Sequence, residues 1–417
     1  MNDNILGLGL LRQPKSVLFG PGQRRQLPYI AGNIASSVLV VTDARMAASE
    51  TFHEIRRGLE DHGIAVSVYA ETEPDLPREN ILAVVNRYAN RTASRAIDAV
   101  IGIGGGSCLD LAKVSAVALV NQHDVRDYYG EFRVPAPGLP VITVPTTGGT
   151  GAEVTCISVV YDREKGMKLG IASPYLEPYA AVIDPELTLT CPPGLTAATA
   201  ADALSHLVEA VTARAKNPTP EEIDTKLYVG KNRLTDLFAG HGLALLSTSL
   251  ARVIDSPSDI AARADSMFAA YCAGMAINTT GTAGAHAIQS SMAAYCDAPH
   301  GFGVGALLPY IMRFNLPSCV DAFAGMGRIF GVAQASQPLI EQAHAAIRRI
   351  EALLETARAP LELKSIGLKP EQFDAIADQA MQATRLLANN PRALTKKTVV
   401  AILQKGYDGD RSWWEIV

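Results

Sequence analysis

Cysteine is scarce in this sequence and unpaired along it. Cys108, Cys156, Cys191, Cys272, Cys296 and Cys319 lie far apart, with no CxxC spacing. That argues against a disulfide framework or a cysteine zinc site, and fits free thiols in a reducing cytosol. Charge is also sparse, at 19% of residues, with a net charge of −5. Lysine and arginine are scattered, and no basic stripe offers itself to nucleic acid or to an anionic membrane. No run of about 18 uncharged apolar residues occurs, so no transmembrane helix is expected. The segment Met1-Asn-Asp-Asn-Ile-Leu6 lacks the basic flank of a secretory signal. There is no low-complexity tract and no internal repeat. These absences favour a globular protein and an expected cytoplasmic setting.

What is present supports that reading. The 417 residues are 48% hydrophobic, enough for well-packed cores, and the length favours two domains. The N-terminal part alternates short β-branched runs with helical patterns, the mark of α/β architecture. Val38–Thr42, Ile64–Tyr69, Ala99–Ile103, Leu139–Val144 and Ala180–Ile183 read as strands. Phe52, Ile55 and Leu59 mark one helix, Ile81, Val84, Val85 and Tyr88 another, and Cys108–Val120 a third. Beyond Asp184-Pro185 long amphipathic patterns take over, predicting helices over Ala197–Ala213, Ile260–Ile277, Ile340–Ala357 and Pro370–Leu387. The expected organisation is an α/β domain over residues 1–187 and an all-helical domain over 188–417, with Cys191-Pro-Pro-Gly194 as the loop signal between them. Lys216–Asn232 reads as an exposed excursion between two helices.

Two glycine turns sit in the first half. Ala99–Ile103 runs into Gly102-Ile-Gly-Gly-Gly-Ser107, which then opens a helix. Glycine lets backbone approach a phosphate, and the helix N-terminus adds free N–H groups and partial positive charge. This is not the GxGxxG fingerprint, because residue 107 is serine, and no acidic residue follows at the usual distance. Asp43, at the end of an earlier strand, is the better candidate for the adenosine ribose hydroxyls. A carboxylate there would repel the 2′-phosphate of NADP, which favours NAD. A second turn, Pro145-Thr-Thr-Gly-Gly-Thr-Gly151, adds hydroxyls and more N–H groups.

The second half carries a metal-type constellation. Asp202 and His206 are four apart in a helical stretch, so both lie on one face, one turn apart. His286 and His300 follow, the latter in a Pro-His-Gly turn. One carboxylate and three imidazoles suit Fe²⁺ or Zn²⁺ better than Ca²⁺ or Mg²⁺. The other histidines, His53, His62, His123, His241 and His344, lie in polar or helix-surface contexts. Arg313 and Arg392 are available to an anionic group, with a solvated surface position the simpler reading.

These motifs together resemble the iron-containing (group III) alcohol dehydrogenases. The matching segments are Phe19-Gly-Pro-Gly22, Gly104-Gly-Gly-Ser107 with Asp110 and Lys113, Pro145-Thr-Thr147 with Gly149-Thr-Gly-Ala-Glu153, Asp184-Pro185, Asp202-x-x-x-His206, His286 and Pro299-His-Gly301. The resemblance implies a dehydroquinate synthase-like architecture: an α/β domain that binds the dinucleotide, then an all-α domain that holds the metal. It implies that Asp202, His206, His286 and His300 are the catalytic metal ligands. It implies that Gly104, Gly105, Gly106, Ser107, Thr146 and Thr147 contact the cofactor phosphates and nearby groups, with Lys168 near the cofactor ribose. The expected activity is NAD(P)-linked alcohol oxidation or aldehyde or ketone reduction, and a homodimer or larger homo-oligomer is the usual assembly. The sequence departs from many alcohol reductases of the family at Ser290, where they carry a second histidine facing the substrate. A histidine proton relay is therefore not expected, and Gln289 beside it is placed to fill or polarise the space. The alternatives are a metal-free reductase of the maleylacetate reductase type, a glycerol-dehydrogenase-like zinc enzyme, a dehydroquinate-synthase-like lyase and a non-catalytic scaffold. The full ligand set argues against the metal-free reductase and against the zinc enzyme with its smaller set, and beside two glycine turns it argues against the scaffold; steady NADH production would exclude the lyase.

Overall fold

The computed structural model describes residues 9–89, 96–121, 123–296 and 298–414. The segment Met1–Leu6 weighed above lies outside them. The chain divides into two compact units. One comprises Arg12–Cys191 with Thr225–Leu227. The other comprises Pro192–Asp224 and Tyr228–Val417 together with the N-terminal residues up to Leu11.

The α/β unit runs β1 (Ser16–Phe19), α1 (Leu27–Gly32), β2 (Ser37–Val41), α2 (Ala44–Ala47), α3 (Glu50–Asp61), β3 (Ala65–Tyr69), α4 (Arg78–Tyr88), β4 (Ala99–Gly104), α5 (Gly106–Ala118), β5 (Gly130–Glu131), β6 (Val141–Pro145), β7 (Ile157–Asp162), β8 (Met167–Ala172) and β9 (Ala180–Ile183). Six strands form a parallel sheet in the order β1-β9-β6-β4-β2-β3. β2, β4, β6 and β9 are buried along their whole length. Their uninterrupted apolar runs are what a sheet covered on both faces requires. Alternate residues feed two cores. Val38, Val40, Ile101, Ile142 and Val182 pack with Leu27, Phe52 and Leu59 on one face. Leu39, Val41, Val100 and Val141 pack with Ile81, Val84, Leu111 and Val114 on the other. β4 stands mid-sheet between β2 and β6, and the loops leaving these strands emerge at the carboxyl edge, where open α/β sheets bind ligands.

The predicted strands and helices of this unit are present, with ends shifted by a few residues. Sequence reading missed β1 and the small sheet β5-β8-β7, in which β7 and β8 form an antiparallel hairpin. β7 exposes Val159 and half-exposes Ile157 and Tyr161, so its pattern carries little apolar contrast.

The helical unit comprises α6 (Pro193–Thr212), α7 (Pro220–Thr225), α8 (Arg233–Asp255), α9 (Ile260–Thr280), α10 (Gly284–Met292), α11 (His300–Asn315), α12 (Val320–Ile329), α13 (Leu339–Thr356), α14 (Phe373–Ala380), α15 (Thr384–Leu387) and α16 (Lys396–Asp408). One core joins α6, α8, α9, α12 and α13 through residues such as Leu204, Leu243, Leu246, Phe323 and Ile347. A second joins α10, α11, α14 and α16 through Ile288, Tyr310, Phe314, Ile376 and Ile402. α8 is long and apolar enough to cross a membrane by length and composition. Its buried residues, from Thr235 and Ala239 through Leu243 and Leu246 to Leu250 and Val253, form one stripe against the first core.

Three expectations need correction. The helix predicted over Pro370–Leu387 is broken: a 3₁₀ turn precedes α14, and α14 and α15 are separate. The buried stripe Phe373, Ile376, Ala377 and Ala380 ends with α14, and α15 buries no residue. The Lys216–Asn232 excursion is exposed only toward its tip. Leu227, Tyr228 and Val229 are buried, and Lys216 Nζ closes the base by donating to Tyr228 O (3.1 Å) and Asn389 Oδ1 (2.8 Å). Arg313 is no surface residue: it is 5% exposed and paired with Glu351 through two contacts, one of them 3.1 Å. Arg392 donates to Phe314 O at 3.0 Å and lies over the Phe314 ring.

Candidate active site

The α/β unit brings its two glycine turns together. Gly104 ends β4 with φ +153°, and a Cβ there would meet Cys108 Sγ at 2.5 Å, so only glycine fits. Gly105 is the extended residue that opens α5. Thr146 N donates to Gly104 O at 2.9 Å, which ties the second turn to the first. A Cβ on Gly105 would lie 3.6 Å from Thr147, and one on Gly106 would strike Thr150. Gly105, Gly106, Ser107 and Thr147 are half-buried, and Thr146 is buried with its Oγ1 lacking a hydrogen-bond partner among the described residues. Asp43 stands beside this edge. Its Oδ1 accepts from Met46 N at 2.8 Å, capping α2, and its Oδ2 lies 3.8 Å from where a Gly104 Cβ would be. Lys168, on β8, pairs with Asp75 Oδ1 at 2.6 Å. Asp75 and Leu76 both have positive φ, 62° and 48°, in the turn that carries this carboxylate.

Two charged residues of the resemblance prove to hold backbone. Lys113 is fully buried on α5. Its Nζ donates to Ala152 O (3.0 Å), Thr155 O (3.2 Å) and Ile157 O, and pairs with Asp110 at 3.0 Å. The chain leaving the second glycine turn is thereby fastened to the helix that the first turn opens. Asp184 accepts from Gly22 N (3.0 Å), Arg24 N (3.1 Å) and Glu186 N (3.1 Å), which anchors the Phe19–Gly22 turn. Cys108 lies next to the first turn, where burial, then the Asp43 charge, pushes its thiol up to about 12 and disfavours the thiolate.

In the helical unit the four predicted residues meet at one oxygen. Asp202 Oδ1 lies 3.7 Å from His206 Nε2, 3.5 Å from His286 Nε2 and 3.7 Å from His300 Nε2. His206 and His286 stack with ring centroids 4.6 Å apart, and His300 tilts against His286 at 5.5 Å. Asp202, His206 and His286 are 3%, 5% and 6% exposed, whereas the His300 side chain is 29% exposed. Asp202, His206 and His286 each offer one ligand atom, and these atoms lie within 4.8 Å of one another. Gly301 makes the His300 position possible, because a Cβ there would run into the Ala198 carbonyl and crowd Asp202 Cβ.

The donor set fits a divalent ion. Asp202 Oδ1 and His286 Nε2 are buried and lack hydrogen-bond partners among the described residues. Separations of 3.5–3.7 Å are long for hydrogen bonds. They leave room for an ion between the carboxylate oxygen and the imidazole nitrogens. Burial pushes the Asp202 carboxyl up, but the surrounding imidazoles outweigh it and hold it well below the ordinary carboxylate range. Burial likewise lowers His286, but Glu209 and Asp202 prevail and raise it to about 9. Glu209 was not singled out from sequence. It approaches His286 Nδ1 at 2.7 Å, and its position three residues after His206 was the available signal. The remaining histidines have other settings: His62 packs edge-on to Tyr29, His241 edge-on to Phe268, and His344 stacks on Trp413. All six cysteines are free.

A parallel-sheet unit with paired glycine turns and a helical unit with a buried aspartate–histidine cluster define a two-unit architecture with a candidate metal centre. Comparison with known proteins agrees. The profile of iron-containing alcohol dehydrogenases matches residues 14–185, and the C-terminal profile of the Fe-containing alcohol dehydrogenase family matches residues 196–407. The chain belongs to the iron-containing alcohol dehydrogenase family. It is 32% identical over 399 residues to alcohol dehydrogenase 4 of Saccharomyces cerevisiae (strain YJM789), covering 95% of this chain and 97% of that one. Among solved structures, an alcohol dehydrogenase from Oenococcus oeni superposes with a TM-score of 0.87 at 29% identity, covering 96% of this chain and all of the other. A sulfoacetaldehyde reductase from Bifidobacterium kashiwanohense in complex with NAD⁺ gives a TM-score of 0.80 at 27% identity, covering 97% of this chain and all of the other. The protein is thus an oxidoreductase of the iron-type alcohol dehydrogenases, a family that works with NAD(H) and a metal on small molecules.

Proposed function

We propose that this protein is a metal-dependent, NAD-linked alcohol dehydrogenase and carbonyl reductase whose ion is held by Asp202, His206, His286 and His300. The observation that carries the reading is the convergence of three imidazole Nε2 atoms on one buried, unpartnered carboxylate oxygen. A divalent metal bound there supplies Lewis acidity toward the oxygen of an alcohol or carbonyl. Fe²⁺ is the first choice from the family and Zn²⁺ the second, since the ligand types suit both. Bound NAD⁺ would supply the hydride acceptor, and oxidation of an alcohol to a carbonyl would also release one proton. Ser290 does not hold that proton, because its Oγ donates to His286 O at 2.8 Å in a bond along its own helix. The proton leaves to water or to cofactor hydroxyls.

The chain's own residues divide the remaining work. Backbone N–H groups of Gly104–Ser107 at the start of α5, with Thr146 and Thr147, bind the cofactor phosphates. Asp43 accepts from the adenosine ribose hydroxyls, and its charge disfavours the 2′-phosphate of NADP; the NAD⁺ complex of the sulfoacetaldehyde reductase relative supports that choice. Lys168, oriented by Asp75, serves the cofactor ribose. Ser290 and Gln289 leave a site shaped for a substrate other than a simple primary alcohol. Six free thiols favour a cytoplasmic setting, and the family resemblance favours a homo-oligomer.

Elemental analysis beside NAD⁺ reduction with a panel of alcohols, diols and hydroxy acids tests this reading. About one iron or zinc per chain is expected. His286→Ala should lose the metal and turnover while keeping NAD⁺ affinity within about twofold, since NAD⁺ is assigned to the other unit. A wild-type protein that is metal-free and gains no activity with Fe²⁺ or Zn²⁺ under anaerobic conditions would replace the proposal with a metal-free reductase.

A further inference from the structure

Glu209 is buried to 2% exposure, and both its oxygens are engaged. It lies on α6 seven residues after Asp202 and three after His206, so all three share one helical stripe. Oε1 accepts from Ala285 N at 2.7 Å, and Oε2 accepts from Ala283 N at 2.7 Å. Oε2 also lies 2.7 Å from His286 Nδ1. Ala283, the N-cap of α10, has only a methyl group and cannot cap that helix itself. The carboxylate of α6 therefore caps α10 from outside and reaches the imidazole one residue further along.

We infer that Glu209 is the positioning residue of the metal centre, an inference that rests on the metal reading above. Two backbone donors fix the carboxylate so that it cannot rotate away, and an ionised carboxylate only accepts. His286 Nδ1 must then carry a hydrogen. A metal-binding imidazole carries one N–H, so with that hydrogen held on Nδ1 it is Nε2 that offers its lone pair, on the side of Asp202 and His206. The same contact sets the rotation of the ring about its own axis. One side chain thus ties the helix that supplies two ligands to the helix that supplies a third. Glutamine cannot replace it. Its amide has one acceptor oxygen, and the NH₂ would have to face either the Ala285 N–H or the donors on the other side.

The test uses the full-length chain, stripped of metal, with Zn²⁺ measured by competition with a chelator. Glu209→Gln should weaken Zn²⁺ binding by about 10–100-fold and leave NAD⁺ affinity unchanged. The Co²⁺-substituted variant should show an altered ligand-field spectrum. A merely structural role would lower thermal stability without moving the spectrum. Zn²⁺ affinity equal to that of the wild type would overturn the inference. If the variant fails to fold, the wild type still decides. In the Zn²⁺-loaded protein with ¹⁵N-labelled histidine, His286 should show Nδ1–H and a metal-shifted Nε2, and the opposite pattern overturns the inference. A wild type that takes up no Zn²⁺ overturns it as well, but through failure of the metal reading, visible in the control alone.

Discussion

A carboxylate can be kept for its charge or in spite of it, and Glu153 shows the second case. It is 4% exposed, beside the second glycine turn, and burial pushes it up to about 7 although Lys113 pulls the other way. Unfolded, the group titrates near 4.5. Between those values the folded chain keeps a proton that the unfolded chain releases. The stability linked to Glu153 is therefore present below pH 4.5, declines as pH rises, and is gone above about 7. Glu153→Gln stays neutral throughout, so it should gain on the wild type across this interval, by up to about 3 kcal/mol. Chemical denaturation of both proteins at the two ends of the range measures the gain, and a difference that does not change with pH would refute the protonated-carboxyl account. Asp202 is the opposite case. Its charge is wanted, and the imidazoles around it hold it ionised despite burial.

Among the elements, α6 was the most legible and the small sheet the least. The i, i+4 pair Asp202 and His206 is a local pattern, readable because one helix sets the geometry of both side chains. That His286 and His300 join them depends on α10 and α11 packing against α6, and a sequence alone does not contain that packing; the family resemblance supplied it. Glu209 was legible in the same stripe but unread, because a glutamate on a helix usually faces water. Lys113 was quoted as a motif residue without a role, since its carbonyl partners come from a loop some forty residues further along. The role now visible gives a prediction. Lys113→Met keeps the apolar bulk but leaves Asp110 and several carbonyls unmatched in a buried site. It should cost about 3–5 kcal/mol of stability and weaken NAD⁺ binding about tenfold or more as the second turn loosens, with metal content unchanged. Equilibrium unfolding and NAD⁺ titration read the two effects, and unaltered NAD⁺ affinity would mean that the loop holds its shape without the lysine. The break between α14 and α15 had no glycine or proline to announce it, and only the end of the buried stripe explains it.

For the whole molecule, the assignments place two different ligands in two different compact units, each with its own pair of cores. A ligand that binds only the folded form stabilises what it touches, by about 2.7 kcal/mol at a hundred times its dissociation constant. Local opening of a protein is uneven, so that stabilisation appears first in the segments that hold the ligand. Amide hydrogen exchange followed by mass spectrometry therefore separates the two sites in one experiment. Adding Zn²⁺ to the stripped protein should slow exchange in α6, in α10 around His286 and in the first turn of α11 at His300, and leave residues 104–107 and 146–151 as they were. NAD⁺ should do the reverse, protecting the two glycine turns and the start of α5. Gly301 sharpens the case for α11, because Gly301→Ala would force this helix away from α6 and should remove the Zn²⁺ protection at its N-terminus while sparing the NAD⁺ pattern. Protection by Zn²⁺ at the glycine turns with none in α10 would place the ion away from Asp202, and the metal assignment would fall with it. The expected pattern, reproduced with Fe²⁺ under anaerobic conditions, would instead tie the redox chemistry of this family to four side chains that only folding brings together.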